Sequence, residues 1–148
     1  MRLMICAALA LLDASAATAQ DLSTATPVAG IWSYAPAADG SEAVFANEVG
    51  SPQLWVRCIR STRRVTISRA ATAAAPALNV WTSSLTKSVA SSFNPATGRL
   101  TIDLGNFDPL LDAIASSRGR VGFTVGTLPS LVVPPWAEPV RVIEDCRA

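Results

Sequence analysis

Arg57, Arg60, Arg63, Arg64 and Arg69 crowd one short stretch of this 148-residue chain. A guanidinium is a planar fork of N–H donors that grips carboxylates and phosphates through paired hydrogen bonds. Five of them together point to an anion-binding or partner-binding face. The distribution of charge isolates them further. Residues 21–48 carry four acids and no base, residues 49–102 seven bases and no acid, and the chain from 103 onward six acids and four bases. A second reading stands beside the first: the basic ribbon lies against the acidic N-terminal strand, with Glu42 or Glu48 paired across it.

Other chemistry is thinly supplied. The chain has no histidine, so the usual general base of serine and cysteine hydrolases is missing. Zinc would be left with carboxylates, and Asp103, Asp108 and Asp112 lack the alternating acids and central glycine of a calcium loop. Ser84-Leu85-Thr86-Lys87 matches the S-x-x-K of penicillin-recognising enzymes, but the companion S-D-N and K-T-G boxes do not occur. Glycoside cleavage asks for two carboxyl groups about 5–10 Å apart, and Asp103 with Asp108, or Glu138 with Glu144, are the available pairs. Asp108 suits a helix cap better, and Glu138 and Asp145 suit ion pairs with Arg141. No catalytic residue, metal ligand or cofactor is therefore assigned. Trp55 and Trp81 fall on the polar sides of their strands, either as an exposed aromatic platform for sugar or peptide or as a second buried face.

Residues 1–20 read as a cleavable export leader. Arg2 is the positive start, the run from Met4 to Leu12 is apolar, and Ala17-Thr18-Ala19 offers small residues to a peptidase. The run is too short to cross a bilayer, which takes about 20 residues. Cys6 precedes most of it, which disfavours a lipid attachment site. The expectation is a periplasmic protein with no membrane span, whose mature chain 21–148 is a single domain. Cys58 and Cys146 then remain as an even pair in an oxidising compartment, and a disulfide is expected between them. Closing so long a loop stabilises a fold by roughly 4 kcal/mol in the chain-entropy account. The net charge of +1 lacks the basic excess of a nucleic-acid binder.

The elements that must position these residues follow from periodicity. Apolar and polar residues alternate through 31–34, 42–47, 53–59, 64–69, 78–83, 99–104 and 120–125, which predicts short strands with one dry side. The joints at 38–41, 50–52 and 94–98 carry glycine and proline suited to turns. Such spacing predicts an antiparallel β-sandwich or small barrel. The alanine-rich stretch 70–76 reads as a connection, and 88–92 as a loop edge. Asp108-Pro109 opens a helix, with Leu110, Leu111 and Ile114 on one side. Trp136, Val140 and Ile143 predict a second, provided that Pro139 sits in its first turn.

The order Leu54-Trp55-Val56-Arg57-Cys58, Thr82-Ser83-Ser84, Asp108 to Asp112 and Val142-Ile143-Glu144-Asp145-Cys146 resembles small uncharacterised exported proteins of Gram-negative bacteria. It is also similar to periplasmic accessory proteins of type VI secretion, with Arg57-Cys58 and Cys146 as the matching residues. The resemblance implies a disulfide-closed sandwich without catalysis; a secretion role is not carried over. The functional expectation is a non-catalytic periplasmic binding or interaction module for an unknown protein or cell-envelope ligand. The alternatives are a carboxylate-dependent cell-envelope hydrolase and an inhibitor of a hydrolase.

Overall fold

Alternating sequence becomes alternating burial. A computed structural model describes residues 20–126 and 128–148, and the proposed leader lies outside them. The strands are β1 (Gly30–Ala37), β2 (Gly40–Asn47), β3 (Pro52–Ile59), β4 (Arg64–Ala70), β5 (Ala77–Trp81), β6 (Thr86–Ala90), β7 (Ser92–Asn94), β8 (Arg99–Gly105), β9 (Val121–Thr124) and β10 (Leu131–Val133). The helices are α1 (Pro109–Ala115) and α2 (Ala137–Asp145). The protein is mainly β, as the periodicity predicts. A large six-stranded sheet runs β1-β2-β3-β4-β8-β7 and a small four-stranded sheet runs β10-β9-β5-β6, with every pairing antiparallel.

One core joins them. Phe45, Leu54, Val56, Val65, Ile67, Leu100 and Ile102 line the inner side of the large sheet, and Leu78, Val80, Val121 and Phe123 that of the small one. The small sheet does not cover the whole inner face. Helix α2 covers the remainder, over β1, β2 and β3, and buries Pro139, Val142 and Ile143 there. Pro139 falls in the first helical turn, where its missing N–H breaks no intrahelical bond. Asp108 caps α1 by accepting the Leu110 N–H at 2.9 Å, with Pro109 at the first helical position. No helix of the described residues is long and apolar enough to cross a membrane.

Differences from the sequence reading lie at the margins. The 88–92 stretch is not a loop edge: Thr86–Ala90 is an edge strand, and Ser92–Asn94 pairs with β8. Their residues are mostly small and polar, and Val89 and Phe93 are the apolar residues they turn toward the core, so no alternation was visible. Strand β10 is buried at all three positions, a pattern without a period of two. The strand expected over 78–83 stops at Trp81, because the Thr82 hydroxyl accepts the Leu85 N–H at 2.9 Å and turns the chain. The burial of Val132 has a specific cause. Residues 20–29 cross the outer side of the small sheet, with Val28 N–H donating to the Val132 carbonyl at 2.7 Å. Leu22 sits over Gly122 beside Trp81, in space that a Cβ at position 122 would occupy.

The expected disulfide is present. Cys58 on β3 and Cys146, just after α2, are joined across 88 positions, and Gly40 lies against Cys58 where no side chain would fit. The neighbouring residue tightens the joint, since Tyr34 and Ser41 hydroxyls each donate to the same Asp145 oxygen at 2.7 Å. Arg141, expected to pair with Glu138 and Asp145, makes no ion pair with either; its guanidinium lies 4.1 Å from the centre of the Tyr34 ring. Stacking on that ring competes with the solvated intrahelical pairs, which are each worth only about 0.2–0.5 kcal/mol.

Replacing both cysteines, Cys58→Ala with Cys146→Ala, is expected to lower unfolding free energy by about 2–5 kcal/mol, read as a reduced urea midpoint relative to the oxidised parent. A second expectation concerns acid. The Ser41 and Tyr34 hydroxyls, with the charges of Arg141 and Arg60, hold the Asp145 carboxyl below its ordinary value of 3.8. A depressed folded-state pKa contributes stability that is complete above 3.8 and is lost as pH falls through the folded value. Asp145→Asn should flatten the acid limb of a stability-against-pH curve measured by urea unfolding, and an unchanged limb would refute this assignment.

Candidate anion-binding surface

The β3–β4 hairpin closes at the Ile59–Arg64 pair, leaving residues 60–63 as its tip. Neighbours on both sides hold that tip by its backbone. Asp39, in the β1–β2 turn, accepts the Ser61 N–H at 3.1 Å and the Ser61 hydroxyl, and its carbonyl accepts the Arg60 N–H at 2.8 Å. On the far side, Asn106 N–H donates to the Arg63 carbonyl at 3.1 Å. Arg63 itself has φ of 52°, in the left-handed region where glycine is at ease and other residues pay about 1 kcal/mol or more.

The five arginines separate by use. Arg69 is buried at 6% exposure and donates to the carbonyls of Phe123, at 2.7 Å, and Pro129. It therefore ties β4 of the large sheet to β9 and the approach to β10. Burial lowers its pKa from the ordinary guanidinium value. Arg64 is half-exposed and pairs with Asp103, Nε to Oδ1 at 2.9 Å, with a further bond to the Asp103 carbonyl at 3.2 Å. Arg57, Arg60 and Arg63 are exposed and form no ion pair among the described residues. Glu42 stands opposite Arg57 in register without closing to an ion pair, and Glu48 lies in the β2–β3 loop at the other end of the sheet.

The two tryptophans do not share a surface. Trp55 is on the open outer face of the large sheet, under the Arg99 guanidinium at 3.7 Å from the ring centre. Trp81 is on the outer face of the small sheet, partly covered by the N-terminal segment. Arg99 was not singled out from sequence, because its proximity to Trp55 depends on β8 pairing with β4.

The acidic residues are largely occupied. Asp103 is paired with Arg64, and Asp112 and Glu144 both contact Arg147, at 2.8 and 3.4 Å. Lys87 Nζ donates to both Asp108 oxygens at 3.0 Å, so the lysine of the S-x-x-K match serves a helix cap. Burial acts to raise the Asp108 pKa, but the Leu110 N–H, the Lys87 bond and the Lys87 and Arg64 charges outweigh it and hold the carboxyl below 3.8. Among the described residues no group of three His, Cys, Asp or Glu is placed to hold a metal ion. The apolar space enclosed by Trp32, Phe123, Pro134 and Ile143 among others amounts to about 10 Å³, room for one water at most. Two larger hollows open at the surface, about 250 Å³ between residues 72–76 and Val125, and about 340 Å³ beside Gly30, Ala46 and Glu48.

Arg69 and Arg63 should behave as opposites. Arg69→Ala leaves the Phe123 and Pro129 carbonyls without their donor and should cost about 1–3 kcal/mol, seen as a lower midpoint in urea. Arg63→Gly relieves the left-handed backbone and should leave the unfolding free energy from the same urea titration unchanged or raise it by a few tenths of a kcal/mol. Comparison with protein families, with curated proteins and with solved structures finds no match to this chain.

Proposed function

We propose that this protein is an exported, non-catalytic binding module that grips an anionic partner in the periplasm through the tip of its β3–β4 hairpin. The observation that carries this reading is Arg63. An arginine occupies a left-handed position that glycine would fill more easily, yet its side chain makes no hydrogen bond or ion pair among the described residues. Local stability therefore gives no reason for an arginine there, whereas contact with a partner does. Arg57 and Arg60 add two more exposed cations on the same hairpin. The backbone bonds from Asp39 and Asn106 fix the tip in advance, which lowers the entropy lost on binding.

Supporting the compartment are the leader-like residues at the start of the sequence and the Cys58–Cys146 disulfide, a bond that persists in oxidising surroundings. The resemblance to small exported Gram-negative proteins points the same way.

A photo-crosslinking amino acid placed at Thr62, on the exposed tip, should yield discrete adducts in whole cells. Those adducts should disappear from the Arg60→Glu/Arg63→Glu variant while its unfolding free energy in urea stays within about 0.5 kcal/mol of the parent. Adducts that survive the charge reversal in a folded variant would remove the hairpin from the binding surface.

A further inference from the structure

The outer face of the large sheet carries a second cation without an acidic partner, and this one is held in place. Arg99 opens β8 and Trp55 lies within β3, with β4 between them. The residues of β4 that separate them are small: Trp55 stands opposite Ser68, and Arg99 opposite Ala70. With nothing bulky between, the guanidinium carbon comes to 3.7 Å from the centre of the indole ring. Stacking of this kind restricts the side chain and strips water from one side of it, while the N–H fork stays in the guanidinium plane. Arg99 forms no ion pair among the described residues.

We infer that Trp55 and Arg99 form a binding site for a carboxylate-bearing polysaccharide, on the open sheet face and separate from the hairpin tip. This goes beyond the hairpin reading and does not depend on it. A pre-ordered guanidinium fork matches a carboxylate bidentately. Beside it the row Ser33, Val44, Trp55, Ser68 and Thr101 runs across neighbouring strands; Ser68 is buried, but the exposed Ser33 hydroxyl and the half-buried Thr101 hydroxyl are suited to the ring hydroxyls of a sugar. Ser68 and Thr101 hydroxyls already bond one another at 2.8 Å. The one acid close along β8, Asp103, is neutralised by Arg64, and Arg57 adds a further exposed cation on the same face. An extended peptide would instead favour a sheet edge, where main-chain bonds are unpaired.

Oligogalacturonate, dextran and polyglutamate serve as the carboxylated-sugar, neutral-sugar and acidic-peptide probes in isothermal titration calorimetry against the whole mature protein. Oligogalacturonate should bind and dextran should not. Arg99→Gln should weaken oligogalacturonate binding about tenfold, and Arg99→Lys should weaken it as well, because an ammonium lacks the fork. Trp55→Phe keeps a ring and serves where Trp55→Ala unfolds; either should weaken binding with thermal unfolding of the tested variant unchanged. Arg60→Gln/Arg63→Gln lies about 15 Å away along the strands and should change it less than twofold, so this site and the hairpin fail or stand separately. Absence of oligogalacturonate binding, equal affinity in folded Arg99→Gln, or polyglutamate bound as tightly through the same two residues would each overturn the inference.

Discussion

The structure depends on how its C-terminal helix is fastened to the large sheet. The small sheet covers only part of the inner face, and without α2 the inner sides of β1, β2 and β3 would meet water. The fastening is concentrated in three consecutive residues. Asp145 accepts the Tyr34 and Ser41 hydroxyls, Cys146 is bonded to Cys58 and its carbonyl accepts from Asn106 at 3.1 Å, and Arg147 donates to the Asn106 carbonyl at 2.9 Å. A short helix is marginal in isolation. A covalent bond plus charge-assisted hydrogen bonds at its end converts a weak element into a fixed lid on the core.

That fastening also fixes the hairpin tip. Asn106 uses its side chain on Cys146 and its backbone N–H on the Arg63 carbonyl. One residue thus links the disulfide-bonded terminus to the hairpin tip. Asp39 does the same from the β1–β2 turn. The tip is therefore not a free loop, and its arginines are presented by a backbone braced on two sides.

The strands were legible where one side of the sheet is wet and the other dry. Leu54, Val56 and Cys58 against Trp55 and Arg57 is such a case, and the expected seven strands all occur with boundaries shifted by a few residues. Legibility failed where that contrast vanished, in the polar edge strand β6 and in β10, which is covered on both sides once residues 20–29 fold over it. The second helix was legible because an apolar stripe at helical spacing coincided with a proline tolerable in the first turn. The arginines show a different limit. Sequence grouped five of them, but position in the strand decided their fate: Arg69 shares the inward parity of Val65 and Ile67 and is buried, while Arg64 meets Asp103 only because β8 pairs with β4. Pairing between strands so far apart in sequence cannot be read from local pattern.

An open sheet face with unpaired cations raises a question of solubility, since exposed edges and flat faces invite association. The edges here are blunted. β1 carries Pro36, β7 is three residues long and followed by Pro95, β6 carries Lys87, and β10 has its Val132 carbonyl taken by Val28. The open face itself mixes signs, with Glu42 on β2, Arg57 on β3, Arg64 on β4 and Asp103 on β8. Charge on that face accordingly works in two ways. Opposite signs on one face discourage a second copy from stacking there, and the cations without an ion-pair partner among the described residues, Arg57 and Arg99 on the face and Arg60 and Arg63 at the hairpin tip, keep their charge uncompensated.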